Sequence, residues 1–295
     1  MDSRSKAAWF SVLSNFTLVA SKLTIGIIIG SVSVISEAIH SANDLLASFI
    51  ALFAIKTSTR PPDKEHPYGH GKIENISGTI EALLIFIAAA MIIKEAINKL
   101  SSGGEVMDLG WGMAVMSFSA LMNFLVSNYL LKVGRETDSV ALEADGMHLR
   151  TDVYTSLGVF AGLALIKITG FQIFDPVAAI LVACLIIKAA YELTRKAFMP
   201  LIDSALDEEY IALTESILQE YQDDIVEYHK LRTRKAGRES HIDLHLVLSS
   251  DKSIREAHEL CDEIESKIYE KIPHSQVLIH VEPSREEISR LGSES

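Results

Sequence analysis

Six long apolar segments constrain this chain more than any other feature of its sequence. A helix needs about 20 mostly apolar residues to cross about 30 Å of hydrocarbon. Six stretches meet this requirement, at about residues 8–29, 33–56, 75–97, 110–131, 141–167 and 177–199. The sequence therefore predicts a membrane all-α bundle of six transmembrane helices over residues 1–204.

The pattern changes after about residue 205 and becomes typical of a water-soluble domain. Amphipathic and alternating stretches predict, in order, a helix, two strands, a helix and a strand, at 207–220, 226–234, 241–248, 253–271 and 276–283. In the second strand Ile242, Leu244 and Leu246 share one face, as a half-buried strand requires. The αββαβ order predicts a metallochaperone-like α+β domain at 205–295.

Charge is distributed unevenly between these two parts. From Ala205 onward 21 Asp or Glu stand against 11 Lys or Arg, which leaves −10 of the total charge of −12 in the second domain. This acidic surplus excludes a nucleic-acid partner, which needs a basic surface. Lys and Arg are more frequent in the loops on the side of the two termini, which predicts cytoplasmic termini and a cytoplasmic second domain, with the bundle in the cell (inner) membrane.

Cysteine usage excludes two classes of small domain. The chain has two cysteines, Cys184 and Cys261, and no CxxC sequence. Neither a disulfide framework nor a Cys-type zinc finger is compatible with this count and spacing.

The second and fifth apolar segments each contain a histidine and an aspartate four residues apart. These pairs are His40 with Asp44 and His148 with Asp152. Residues four apart share a helix face, so two facing pairs supply two nitrogen and two oxygen ligands, a set typical of tetrahedral zinc. One intramembrane histidine is more often a core residue, but a charged group at mid-bilayer costs about 2.5–3.5 kcal/mol and is usually functional. The repeated spacing favours a metal site.

Binding and release suit these four ligands better than catalysis. A catalytic zinc usually has three protein ligands and an open position for water, whereas four ligands close the shell, and the chain has no HExxH sequence. The sequence thus predicts a transporter and no enzyme. A membrane-anchored metal sensor stays open as an alternative, and an intramembrane metalloenzyme is disfavoured.

The six segments, the paired H-x-x-x-D motifs and the α+β tail together resemble the cation diffusion facilitator family, in particular its bacterial zinc and iron efflux members. The resemblance extends from about Ser11 to Pro283. It implies a homodimer in the lipid bilayer that exchanges a cytoplasmic divalent metal for protons by alternating access. Histidine at position 40 resembles the zinc-type members, while manganese-type members use Asp or Asn in place of histidines. Iron, cobalt, nickel, cadmium and manganese stay open as substrates.

A second candidate site lies in the loop after the second segment. Asp63, His66 and His70 fall within eight residues, beside Gly69 and Gly71. The resemblance implies a metal cluster here, whereas the residues alone also fit an ordinary polar loop.

The resemblance also implies a pair of structural Zn²⁺ ions in the tail, which hold two protomers together. The matching positions are His229, His245, His258, His280 and Glu282. Strand alternation independently places His245, His280 and Glu282 away from the core. Three further polar residues of the tail, His241, Asp243 and His274, are interpreted as surface residues.

Overall fold

The structure, a computed structural model, describes residues 2–102, 111–171 and 173–284. The chain divides into two compact units, Met1–Met199 and Pro200–Ser295. The first unit is helical and the second is a small α+β domain, which confirms the predicted fold class.

The first unit consists of long helices. Their bounds are α1 Ser3–Ile29, α2 Val32–Ser58, α3 Lys72–Ser102, α4 Trp111–Glu136, α5 Val140–Thr169 and α6 Phe174–Phe198, and a short 3-10 helix, Met199–Ile202, follows. Within the described ranges, five of the six are long and apolar enough to cross a membrane, all but α4. Helix α4 has no charged residue between Trp111 and Leu131.

Helix α5 is central to the bundle because it contributes to two buried cores. Leu142 and Leu149 pack with residues of α1, α2 and α4, among them Ile55 and Leu130. Ala144 packs with α3 and α6 in a second cluster that includes Ile186. The first half of α5 is therefore packed against helices on two sides.

Glycines allow α4 and α5 to approach closely. A Cβ atom on Gly134 would lie 2.8 Å from the Glu143 side chain, and one on Gly146 would lie 3.0 Å from the side chain of Leu131. A Cβ atom at either position would force its neighbours to shift, so both positions favour glycine. The close approach brings α4 within reach of the functional face of α5.

A buried ion pair connects the helices at the end of the bundle where α1, α3 and α5 begin. Arg4 Nη1 donates to Glu74 Oε1 over 2.8 Å, and Arg4 and Glu74 are only 3% and 2% exposed. The hydroxyls of Ser58 and Ser139 also donate to the Glu74 carboxylate. One carboxylate thus joins α1, α2, α3 and the residue that caps α5.

The second unit is an αββαβ domain with a three-stranded sheet. Its elements are α7 Glu208–Gln219, β1 Glu227–Ala236, β2 Glu239–Leu248, α8 Ile254–Lys271 and β3 Ser275–Pro283. The strand order is β1-β2-β3, with β1 antiparallel and β3 parallel to the central strand β2. The predicted core face of β2 is confirmed, since Ile242, Leu244 and Leu246 are at most 1% exposed.

The interpretation of His241 as a surface residue was wrong. His241 is only 5% exposed. It lies on the central strand, where Arg234 of β1 and Gln276 of β3 occupy the neighbouring register positions. Alternation along a strand predicts the face on which a side chain lies, but not how completely its surroundings cover that face.

Replacing Ser253 by alanine should lower the free energy of unfolding of the second unit by about 1 kcal/mol. Ser253 caps α8 in a reciprocal capping box with Glu256, so alanine leaves a backbone N–H without its acceptor. Ser216→Ala, at an exposed serine inside α7, is the matched control and should change the unfolding midpoint little.

This cap also has a defined pH dependence. The hydrogen bonds from the side chain and backbone of Ser253 lower the pKa of Glu256 below its ordinary value of 4.5. Because the folded-state pKa is lowered, the contribution of Glu256 to stability is present above pH 4.5 and is lost as the pH falls through the lowered pKa. Denaturant titrations at several pH values, with Glu256→Gln beside the native chain, measure this effect.

Candidate metal centres

Helices α2 and α5 bring together the four residues predicted to bind metal within the membrane. The Nε2 atom of His148 lies 3.2 Å from Asp44 Oδ1, and the Nε2 atom of His40 lies 3.7 Å from Asp152 Oδ1. Ligand atoms of His40, Asp44 and Asp152 lie within 4.8 Å of one another. We call these four residues the intramembrane site. His40, Asp44 and Asp152 could hold one cation, and His148 adjoins them through its contact with Asp44.

Burial differs across the intramembrane site. Asp44 is 4% exposed, whereas the His40 side chain is 55% exposed on the outside of the bundle in the single chain. The buried carboxylate supplies charge in a low-dielectric setting, and the exposed imidazole leaves one side of the site open.

Asn123 is part of this centre, and sequence reasoning missed it. Its side-chain amide nitrogen, on α4, donates to Asp152 Oδ2 over 3.2 Å. Partners of this kind orient the first ligands of a metal. An asparagine in the middle of an apolar segment was the available signal, because unpaired amides are costly in hydrocarbon.

We expect Asn123→Ala to lower the apparent zinc affinity of transport about 10- to 100-fold, since Asp152 loses the donor that orients it. Asn128→Ala is the matched control: it lies on the same helix, but its amide oxygen accepts from Arg150. Half-saturation concentrations for zinc flux measure the effect. Equal values for the two variants would contradict the assigned role.

The predicted loop residues form a compact cluster. Asp63 Oδ1 lies 3.2 Å from His66 Nδ1, and Asp63 Oδ2 lies 3.3 Å from His70 Nε2. Backbone N–H groups of His66 and Glu65 donate to Asp63 and hold its pKa below the ordinary value of 3.8. The carboxylate is thus ionised and oriented, and Asp63, His66 and His70, the loop site, could hold a cation.

The three strands of the tail each contribute one residue to a further cluster. Glu282 of β3 lies 2.7 Å from His245 Nδ1 of β2 and 3.6 Å from His229 Nε2 of β1. The hydrogen bond from His245 lowers the pKa of Glu282. We call His229, His245 and Glu282 the tail site. His280 lies at its edge, with Nε2 3.9 Å from Glu282 Oε1.

Two tail residues lie apart from this group. His258, on α8, is paired with Asp262 at 3.7 Å and its side chain is 76% exposed. Asp243 lies 3.8 Å from Arg232. The structure does not bring His258 to the tail site within one chain, so its role as a ligand stays a prediction.

Comparison with known proteins covers nearly the whole chain. Residues 8–202 match the cation efflux transmembrane domain, and residues 206–284 match the cytoplasmic domain of cation efflux proteins. An uncharacterized transporter of Synechocystis sp. is 35% identical, over 87% of this chain and 83% of that protein. The manganese efflux system protein MneP of Bacillus subtilis is 31% identical, over 96% and 97%. The cation-efflux pump FieF of Yersinia enterocolitica is 29% identical, over 86% and 84%.

Proposed function

The chain belongs to the cation diffusion facilitator family of cation-efflux transporters, and from this premise we propose that it exports zinc in exchange for protons. Membership makes it a multi-pass membrane protein that transports divalent metal. The observation that carries zinc as the substrate is the composition of the intramembrane site, two imidazoles and two carboxylates from facing helices. Zinc is commonly bound by four such nitrogen and oxygen ligands.

Exchange with protons follows from the same ligands. Metal binding needs neutral imidazole and ionised carboxylate, so protons and zinc compete for the same atoms. Histidine is the side chain that ordinarily titrates near neutral pH. Protons arriving from the outside of the membrane would displace the ion. Rocking of the helices would then return the protonated site to the cytoplasmic side. We place both termini in the cytoplasm and the protein in the cell membrane, on the excess of Lys and Arg in the loops on that side.

Manganese is the second candidate substrate. MneP, which is named as a manganese efflux protein, is 31% identical to this chain. Manganese prefers carboxylate, carbonyl and water oxygens, whereas imidazole suits zinc. His40 and His148 therefore favour zinc, and competition between the two ions decides the question.

Zinc uptake into proteoliposomes with an opposing pH gradient tests this function. We expect saturable uptake that collapses when the gradient is removed, and that a tenfold excess of manganese inhibits weakly. Strong inhibition by manganese would make manganese the substrate. No uptake above that of empty liposomes, with zinc still bound by the protein, would favour a membrane-anchored sensor.

We assign the tail site a separate structural role, in which bound zinc holds two protomers together in a homodimer. Its residues lie at the outer face of the three-stranded sheet and are partly exposed, so a second chain could complete the coordination. We expect added zinc to strengthen dimerisation of the full-length protein in detergent, and His245→Ala to weaken that response. Sedimentation equilibrium with and without a chelator measures it, and a dimer constant insensitive to zinc would contradict this role.

A further inference from the structure

Two acidic residues are fully buried in the bundle, outside the intramembrane site. Glu81 of α3 and Asp145 of α5 are each 0% exposed. Both carboxylate oxygens of Asp145 and Oε2 of Glu81 have no hydrogen-bond partner among the described residues. Buried polar atoms are nearly always paired, so such atoms point to a missing partner.

These two carboxylates lie on neighbouring helices: Ala82, next to Glu81 on α3, and Ala144, next to Asp145 on α5, belong to the same buried cluster. Glu81 and Asp145 are close enough to repel each other electrostatically. The hydroxyl of Ser77 donates to Glu81 Oε1 at 3.5 Å, and Ser11 of α1 lies beside Asp145, although its hydroxyl does not meet hydrogen-bond geometry. The polar atoms contributed by Glu81, Asp145, Ser77 and Ser11 are therefore all oxygens.

The pair lies next to the intramembrane site. Asp145 precedes His148 by three residues, so both are on one face of α5, about 4.5 Å apart along its axis. Asp145 interacts electrostatically with His148 and Asp44. It is nearer than His148 to the beginning of α5, so an ion moving from that end of the bundle meets Asp145 first.

Fixed cations of the bundle do not neutralise the pair. Over the described residues, buried Arg4 is bound to Glu74, and buried Lys22 donates to Glu37 and Ser41. His148 interacts with Asp145, but its Nε2 atom lies 3.2 Å from Asp44, so the pair shares this histidine with the intramembrane site. Two buried carboxylates with so little positive charge nearby are strongly unfavourable. The arrangement therefore calls for a mobile positive charge.

We propose that Glu81 and Asp145 hold the transported divalent cation transiently, one helical turn before the intramembrane site. This inference rests on the proposed function. Oxygen-only ligands bind such an ion while it keeps part of its water shell, and the nitrogen and oxygen set one turn further on then binds it more completely. The two sites form successive steps on one path.

Isosteric neutral variants, Glu81→Gln and Asp145→Asn, test this proposal in proteoliposomes. We expect the ratio kcat/KM for zinc flux to fall about tenfold or more, because an acidic approach raises the local cation concentration, while kcat changes less than about twofold because the intramembrane site is intact. The thermal unfolding midpoint in detergent should stay equal or rise, since an uncompensated buried charge is removed.

Glu143→Gln is the matched control. Glu143 lies on the same helix, two residues from Asp145, but it is paired with Lys196 at 2.7 Å. We expect its kcat/KM to equal that of the native protein. Asp145→Glu, which keeps the charge, should retain more flux than Asp145→Asn.

Three outcomes would overturn the proposal. The first is a native kcat/KM in both neutral variants, and the second is a lower unfolding midpoint that accounts for the lost flux. The third is a changed pH dependence of flux with unchanged zinc kinetics, which would make the pair a proton carrier. These results differ from a failure of the proposed function. In that case the native protein itself shows no zinc flux, and Asp44→Ala is no different from it.

Discussion

Alanine in place of Asp44 or Asp152 is expected to abolish zinc flux in proteoliposomes, reducing it at least about 100-fold. Each substitution removes a charged ligand from the intramembrane site, and loss of even the outer partners of metal ligands costs about 10- to 100-fold. Each also leaves an imidazole without its partner, because Asp44 lies 3.2 Å from His148 and Asp152 lies 3.7 Å from His40. The initial rate of zinc uptake under an opposing pH gradient measures the effect.

A control must separate loss of the site from loss of a membrane charge. Glu192→Gln on α6 removes an acidic group whose side chain is 67% exposed and which lies 3.9 Å from Lys188. We expect this variant to transport zinc at the native rate. Residual uptake above a tenth of the native rate in Asp44→Ala and Asp152→Ala would contradict the assignment of the intramembrane site.

The largest effect on stability is expected for Glu74→Ala, which should lower the free energy of unfolding in detergent by about 3–5 kcal/mol. The substitution leaves the guanidinium of Arg4 buried without its carboxylate, and Ser58 and Ser139 lose their acceptor. Breaking a buried pair from one side is costly because the remaining charge stays out of water. Denaturant unfolding followed by tryptophan fluorescence measures the change.

An exposed ion pair of the same type serves as the comparison. Glu136→Gln removes the partner of Lys132 at 3.9 Å, where both side chains are more than half exposed. Exposed pairs contribute about 0–1 kcal/mol, so this variant should unfold close to the native midpoint. If Glu74→Ala and Glu136→Gln destabilise equally, Glu74 does not join the four helices as described.

Patterns that are local along the chain were predictable from the sequence. The lengths of the apolar segments predicted the helices, and the four-residue spacing placed His40 with Asp44 and His148 with Asp152 on shared helix faces. Alternation in β2 likewise predicted Ile242 and its neighbours as core. These patterns can be read from the sequence because the helix and strand periods depend on the backbone alone.

Helix ends were less accurate. Most of the predicted segments began later or ended earlier than the helices, as α3 illustrates: it was expected over 75–97 and extends over Lys72–Ser102. Hydropathy reports the part of a helix that suits hydrocarbon, whereas the hydrogen-bonded helix continues into the polar boundary.

Asp63, His66 and His70 came together as a cluster because they are close in sequence, and the turn needs little tertiary support.

Contacts between distant elements were decided only by the tertiary structure. Asn123 reaches Asp152 because α4 packs against α5, and the burial of Glu81 and Asp145 depends on how α3 packs against α5. The burial of His241 depends in the same way on two neighbouring strands. A helical period states which face a side chain occupies, but which helix covers that face depends on the packing of the whole bundle. The sequence by itself thus determined the elements, the paired motifs and the family resemblance, while packing decided which polar groups meet inside the protein.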